Sequence, residues 1–411
     1  MAEVKKVAIV GSSGGNLFHS GGGDPVRLLN EIAAQCRAAG MAVEAALFIA
    51  AQSSMDQKGV SVPAELYVWD PGLRAFRRMA QGDLDWVNRE AVRADGEIAR
   101  QIGEGRIDGL ILISCDPLGV NRQSVAAAVE RQLPVAGTGG TSMGTVKSLG
   151  ANVVALSGTT GTTNQTRAVS FALALSRYWK LPYRMAGAKR WREASISGVM
   201  TSSIPAFMAV LLIMSLAKIP ALAALQEAAA VLEALPAVIL AVIAARHMSD
   251  LGESTMIAGA IAGLLSIQGG VIGALIAGLA AGWLIPRVFQ LCTQRQFPAT
   301  SVNITSAVIS GLIPGLVMLF AANAWTMTAG DAVRSALTWT LGLNPALAGL
   351  AFGLCMWPLI LKGWYHAVLL PLILIEMEEY GNSFIGALDM AGLVMASAGI
   401  LLAQIAFPLQ P

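Results

Sequence analysis

The chain has 411 residues, 55% of them hydrophobic and only 13% charged, with a formal net charge of +2, whereas ordinary soluble domains carry about 25% charged residues. That deficit excludes a wholly water-soluble protein, and nothing in so even a balance points to nucleic acid. Cys36, Cys115, Cys292 and Cys355 are scattered without a CxxC pair, which argues against a disulfide framework or a zinc site, so neither a metal nor a cofactor is expected.

Lys and Arg are frequent as far as Arg192 and nearly vanish beyond it. The chain therefore reads as an α/β ligand-binding domain over 1–183, a basic juxtamembrane linker over 184–195 and an all-α transmembrane domain over 196–411. The N-terminus has no apolar leader, which places the first domain in the cytoplasm.

In the first domain, short β-branched runs at Val7–Val10, Val43–Ile49, Leu110–Ile113, Val135–Ala136 and Val153–Leu156 alternate with helix-like stretches at Pro25–Ala39, Leu84–Gly103, Ser124–Gln132, Met143–Leu149 and Thr166–Trp179. Strand alternating with helix predicts a parallel, Rossmann-like sheet. Ligands of such sheets bind at the carboxyl ends of the strands, so the loops there carry the functional expectation.

Three of those loops are rich in Gly, Ser and Thr. The first contains Ser12, Ser13, Gly14 and Asn16, the second Thr138, Gly139, Thr141 and Ser142, and the third Thr159, Thr160, Thr162 and Thr163. Glycine lets backbone N–H groups approach an anion, hydroxyls add donors, and a following helix N-terminus supplies positive potential. Together they suggest a phosphate or carboxylate pocket; the alternative is that they make tight turns and helix caps. None matches GxGxxG or GxxxxGK[ST], so a dinucleotide or P-loop site is unsupported.

Cys115 ends a strand, before a loop that leads to Arg122. It is a candidate thiolate nucleophile or a small buried hydrophobe. His19, in a glycine-rich loop, is a candidate general base or phosphate contact, or simply solvated.

Arg184, Lys189, Arg190 and Arg192 precede the long apolar run, with Trp191 as an interfacial aromatic. The positive-inside rule puts this end in the cytoplasm, in a multi-pass protein of a bacterial-type inner membrane. Candidate spans are Ile196–Leu216, Leu235–Ala245, Met256–Ser266, Gly270–Pro286, Ile304–Ala324, Pro345–Leu361, Val368–Ile375 and Phe384–Phe407. Several fall short of the ~20 residues a crossing needs. With interruptions at Gly252, Gly269-Gly270, Pro314 and Pro371, they read as broken or re-entrant helices around a solute path. Small residues at Gly259–Gly263 and Gly273–Gly282 let helices approach closely, within a bundle or across a homodimer.

Polar residues inside the apolar half are costly and mark candidate solute contacts: Arg246, Lys362, Trp364, His366, Glu376 and Asp389. The segment Gly363-Trp-Tyr-His-Ala-Val-Leu-Leu-Pro371 is similar to G-L-H-x-x-x-x-P, and Gly269-Gly-Val-Ile-Gly-Ala-Leu-Ile-Ala-Gly278 to G-G-x-x-G-x-x-x-G. On these motifs the membrane half, from about Ser197 to Ala403, resembles the permease component (enzyme IIC) of the sugar phosphotransferase system, its glucose and β-glucoside group in particular. The resemblance implies a sugar permease with His366 as a substrate ligand. The chain lacks that family's G-I-T-E motif and its phosphocysteine signatures, so uptake without phosphorylation is the expectation. A membrane-anchored enzyme acting on a phosphorylated small molecule, held by the Gly/Thr loops, is the alternative.

Overall fold

A computed structural model describes residues 4–322 apart from 16, 58–60, 158–162, 223, 233 and 296, and beyond 322 isolated positions only. The chain divides into two compact units, Met1–Ala188 with Leu251–Ser254 and Pro286–Ser306, and Lys189–Asp250 with Thr255–Ile285 and Ala307–Pro411.

The first unit is an α/β domain around one seven-stranded sheet. Its strands are β1 (Lys5–Ser12), β2 (Met41–Ala51), β3 (Pro63–Asp70), β4 (Ala75–Asp83), β5 (Gly109–Ile113), β6 (Pro134–Thr138) and β7 (Asn152–Ser157), in the order β4-β3-β2-β1-β5-β6-β7. Five are parallel, as their apolar runs predict, but β3 and β4 pair antiparallel. This hairpin corrects the all-parallel expectation. Its outer strand β4 is mostly exposed and carries Arg77 and Arg78, charges that blunt a free sheet edge.

Helices cover both faces. Helices α1 (Pro25–Ala38) and α5 (Asn164–Tyr178) bury Leu28, Leu29, Ile32, Phe171 and Leu175 against Val7, Ile9, Phe48 and Ile111. On the opposite face α2 (Leu84–Gly103), α3 (Arg122–Glu130) and α4 (Gly140–Ser148) bury Val87, Ile98, Val125 and Met143 against Val10, Leu47 and Leu112. A parallel strand buried on both faces must be apolar throughout, and GLILI of β5 is buried at every position.

The second unit is helical. Helices α6 (Ile196–Ala217), α7 (Leu225–Leu232), α8 (Leu235–Met248), α9 (Glu253–Leu265), α10 (Gly270–Gln294) and α11 (Ala299–Val317) follow the basic linker. Among the described residues three stretches, Ile196–Ala217, Ile267–Gln294 and Ser301–Ala322, are long and apolar enough to cross a membrane, as fits a membrane protein. Helices α8 and α9 have 14 and 13 residues, about 21 and 20 Å at 1.5 Å per residue, against a hydrocarbon thickness of ~30 Å.

Two of the expected interruptions are real backbone breaks: Gly252, between α8 and α9, has φ +60°, and Gly270, the first residue of α10, has φ +59°. Pro314 does not break its helix, and neither do Pro205 and Pro286; all three lie inside continuous helices. Pro371 and the expected spans from Pro345 onward lie outside the described residues.

The small-residue stripes are used inside the chain. A Cβ on Gly259 or Gly263 of α9 would lie 2.6 Å from Val242 Cα or 2.8 Å from Val238 Cα of α8. On Gly278 or Gly282 of α10 it would lie 2.6 Å from Ala241 Cα or 2.7 Å from Ala245 Cα, again on α8. Helix α8 is thus clasped by the bare backbones of two neighbours, the close approach that drives helix association in lipid.

Candidate functional site

Strand order reverses at β1: the chain goes outward through β2 on one side and through β5, β6 and β7 on the other. The loops leaving β1 and β5 therefore diverge and open a crevice at their carboxyl ends. A cavity of about 470 Å³ lies there, lined by Gly14 and Leu17 after β1, Asp56 after β2, Ser114, Cys115 and Asp116 after β5, and Gly139, Gly140, Thr141, Ser142 and Thr145 at the start of α4.

Its walls are built from backbone constraints. Ser114 sits at φ +41°, a left-handed conformation that costs a non-glycine residue about 1 kcal/mol or more. Its N–H donates to Thr138 O at 2.8 Å, and its carbonyl accepts from Ser12 Oγ at 3.0 Å, which holds the turn at the cavity mouth. Gly139 and Gly140, at φ +132° and +35°, let the chain turn sharply into α4 and leave the first amides of that helix facing the cavity rim.

Of the described residues of the first Gly/Ser loop, only Gly14 reaches the cavity. Ser12 is spent on Ser114 O, and the Ser13 hydroxyl donates to Ala51 O and accepts from Ala51 N–H, both at 3.0 Å. These hydroxyls staple β1 to its neighbours, which corrects their reading as phosphate donors. Ser142 donates to Gly139 O at 2.7 Å as a turn bond. Thr163 is a helix cap: it accepts Thr166 N–H at 3.2 Å, while Thr166 Oγ1 accepts Thr163 N–H at 2.9 Å. Asn16, Thr159, Thr160 and Thr162 lie outside the described residues.

The nucleophile reading of Cys115 meets the wrong electrostatics. The thiol is buried, and burial pushes it up to about 12, with Asp116 and Asp95 adding to the rise. Arg122, expected to favour the thiolate, is exposed on α3 and absent from the cavity lining. A protonated thiol at neutral pH is a weak donor. His19 is exposed beside Phe18, their rings 5.5 Å apart edge to face, and does not line the cavity either.

The charged lining residues are both acids. Asp116 already accepts the Gly119 and Val120 N–H groups at 3.0 and 3.1 Å, which closes the loop after β5. Among the described residues the cavity offers two carboxylates, hydroxyls, helix-end amides and no cation, a lining that suits a hydroxylated neutral ligand better than an anion.

In the second unit Arg246, in the last turn of α8, pairs with Asp250 at 3.7 Å, both about half exposed. His247 Nε2 lies 3.1 Å from Lys189 Nζ. Lys362, Trp364, His366, Glu376 and Asp389 lie outside the described residues.

Sequence reasoning passed over Arg167. It sits in the first turn of α5, wholly buried, with Nη1 donating to Ser20 O at 2.8 Å and to Asn164 Oδ1 at 3.2 Å. The available signal was electrostatic: a cation in the first turn opposes the helix dipole, and a broken local rule marks a place with another purpose. Comparison with protein-family models, curated proteins and solved structures finds no match to this chain.

Proposed function

We propose that this protein is a permease for a small polar solute, with a Rossmann-like cytoplasmic domain that binds a small hydroxylated ligand and regulates or receives the transported molecule. The observation that carries the reading is the α8–α9 pair, two apolar helices of 14 and 13 residues joined through the polar stretch Arg246–Glu253. Elements too short to cross alone, with polar backbone between them, are stable in a bilayer only when buried in protein or lining a cavity. That argument favours re-entrant helices around a path over simple anchors.

A second support is α11, which buries Asn303, Ser306 and Ser310 along one side of a largely apolar helix; polar groups at membrane depth mark pathways by default. The resemblance of the membrane half to sugar phosphotransferase permeases, and the hydroxyl-rich cavity of the α/β domain, favour a carbohydrate. The basic linker favours an inner-membrane protein with its N-terminal domain in the cytoplasm. Because the glycine faces of α9 and α10 are taken by α8, they lend no support to a homodimer, which rests on the family resemblance.

Solute uptake into proteoliposomes carrying the full chain tests the reading, with His366→Ala as the comparison. Saturable uptake of a labelled sugar, lost in the variant, is expected. Absence of flux for sugars and organic anions in both proteins overturns it. The second reading, a membrane-anchored enzyme, is supported by the cavity at the strand ends, and turnover of a phosphorylated metabolite without flux would select it.

A further inference from the structure

Besides the crevice over β1 and β5, the first unit holds a second cavity of about 690 Å³, within the ~300–1,000 Å³ range of small-molecule sites. Every residue that lines it belongs to that unit. One wall is the free edge of the sheet. Strand β7 is last in the strand order, and four successive residues of it, Val153 to Leu156, reach the cavity. Successive side chains of a strand point to opposite faces, so a space that meets all four runs along the unpaired side of β7.

This edge differs from the one at β4. Strand β4 carries Arg77 and Arg78, whereas NVVALS of β7 has no charge, and Leu156 is 56% exposed. Phe297, 45% exposed between α10 and α11, and Tyr178, the last residue of α5, extend the apolar lining. Exposed apolar groups gathered around one concavity mark a binding site. Register disfavours an added peptide strand as the occupant. Val135 pairs with Val153 but Ala136 with Ala155, so Val154 is a bulge that interrupts the even ladder an added strand needs.

Two cations share the lining. Lys147, in the last turn of α4, has no side-chain partner among the described residues. Arg177, in the last turn of α5, donates Nη1 to Gln294 O at 3.1 Å and so spends one of its five donors. The Tyr178 hydroxyl accepts Asn152 Nδ2 at 3.3 Å, which leaves its own proton to donate. Among the described residues no carboxylate lines this cavity. Apolar walls beside two cations without acids are complementary to an amphipathic anion. The chain brings a source of one close by, because Thr293 and Gln294 end the stretch Ile267–Gln294, which is long and apolar enough to cross a membrane. Lipid headgroups stand where a span ends.

We propose that the groove between β7, α5 and the end of α10 holds an anionic membrane phospholipid, its phosphate on Lys147, Arg177 and the Tyr178 hydroxyl and an acyl chain along Val153–Leu156 and Phe297. Basic pockets at the cytoplasmic ends of spans take such headgroups on the same electrostatic terms. The site is distinct from the acid-lined crevice. It rests on α10 as a span and not on transport, so flux can fail while the lipid stays bound.

The test is native mass spectrometry of the full chain, extracted in detergent and supplied with dioleoyl phosphatidylglycerol or, separately, dioleoyl phosphatidylcholine. Wild type should retain the anionic lipid in preference. Lys147→Gln should weaken that retention about fivefold, and Leu156→Glu, which sets a like charge beside the phosphate, should weaken it further. Both positions are exposed, so the unliganded melting temperature should not move. Arg93→Gln removes an exposed charge of α2 that does not line the cavity and should bind like wild type. Equal retention of the two lipids, a Lys147→Gln protein that binds like wild type, or an equal loss in Arg93→Gln overturns the proposal, as does a peptide adduct in place of the lipid. A chain that stays in solution without detergent would remove the span as well, which separates the two failures.

Discussion

Substituting Gly282 by alanine tests one of the close backbone contacts of the membrane unit. The added Cβ would sit 2.7 Å from Ala245 Cα, whereas ordinary contact begins at 3.4 Å, a shortfall of 0.7 Å against backbone rather than a movable side chain. Helix α10 must therefore retreat from α8, and the loosened stripe includes Gly278, which faces Ala241 in the same way. Overpacking of this kind costs about 1–3 kcal/mol, while replacing a helical glycine by alanine returns about 0.5–1 kcal/mol. The net loss expected is about 1–2 kcal/mol, a few degrees in apparent melting temperature.

Trp283 adjoins the substituted position and meets Trp191 edge to face, centroids 6.4 Å apart. Temperature-dependent tryptophan emission of the protein in detergent therefore reads the contact locally. The control is Gly144→Ala in α4, where an added Cβ meets nothing within 4 Å; it should be neutral or stabilising. If Gly282→Ala melts at or above wild type, as the control does, the claim that bare backbones lock α8 in place is wrong.

Ser13→Ala should destabilise the α/β unit by about 1–3 kcal/mol, since both bonds to Ala51 are lost in a buried place, with unchanged ligand affinity; urea titration and a binding isotherm separate the two effects. Cys115 should resist iodoacetamide at neutral pH in the folded protein, and Cys115→Ser should keep any activity found, so rapid labelling would contradict the protonated, buried thiol. Asp95 is buried, accepts the N–H groups of Gln123 and Ser124 at 2.9 and 3.1 Å, and its carboxyl is raised by burial. The folded state then holds the proton more tightly than the unfolded chain, whose value is ~3.9; the increment is present below that pH and lost as pH rises through the raised folded value. Asp95→Asn should flatten this part of the stability profile, and parallel profiles would remove Asp95 from the account.

What the sequence made legible was burial. The β5 run and the amphipathic α2 announce themselves because a two-sided core demands apolar residues at fixed spacing. The β3–β4 hairpin did not, because an edge strand such as AFRRMAQGD is shaped by solvent on one side and carries charge where a pattern would need apolar groups. Pro314 misled for another reason: α11 runs on through it, as prolines are tolerated inside membrane helices where other groups can satisfy the freed carbonyl. At the site, Gly139 to Ser142 were readable as a turn into a helix, but the fate of Ser12 and Ser13 was not, since their partners Ser114 and Ala51 are distant in sequence.

The acids at the sheet's carboxyl edge bear on what the β1–β5 crevice can hold. Every helix that follows a parallel strand starts at this edge and adds positive potential there, so an anion would be drawn to all of it unless something countered the field. Over the β1–β5 crevice Asp56 and Asp116 do so, and the cavity is left with amides and hydroxyls that match neutral polar groups. Arg167, buried in the first turn of α5, is spent on Ser20 O and Asn164 Oδ1 among the described residues. In the crevice the acids, more than the Gly/Ser loops around them, decide which polar groups fit.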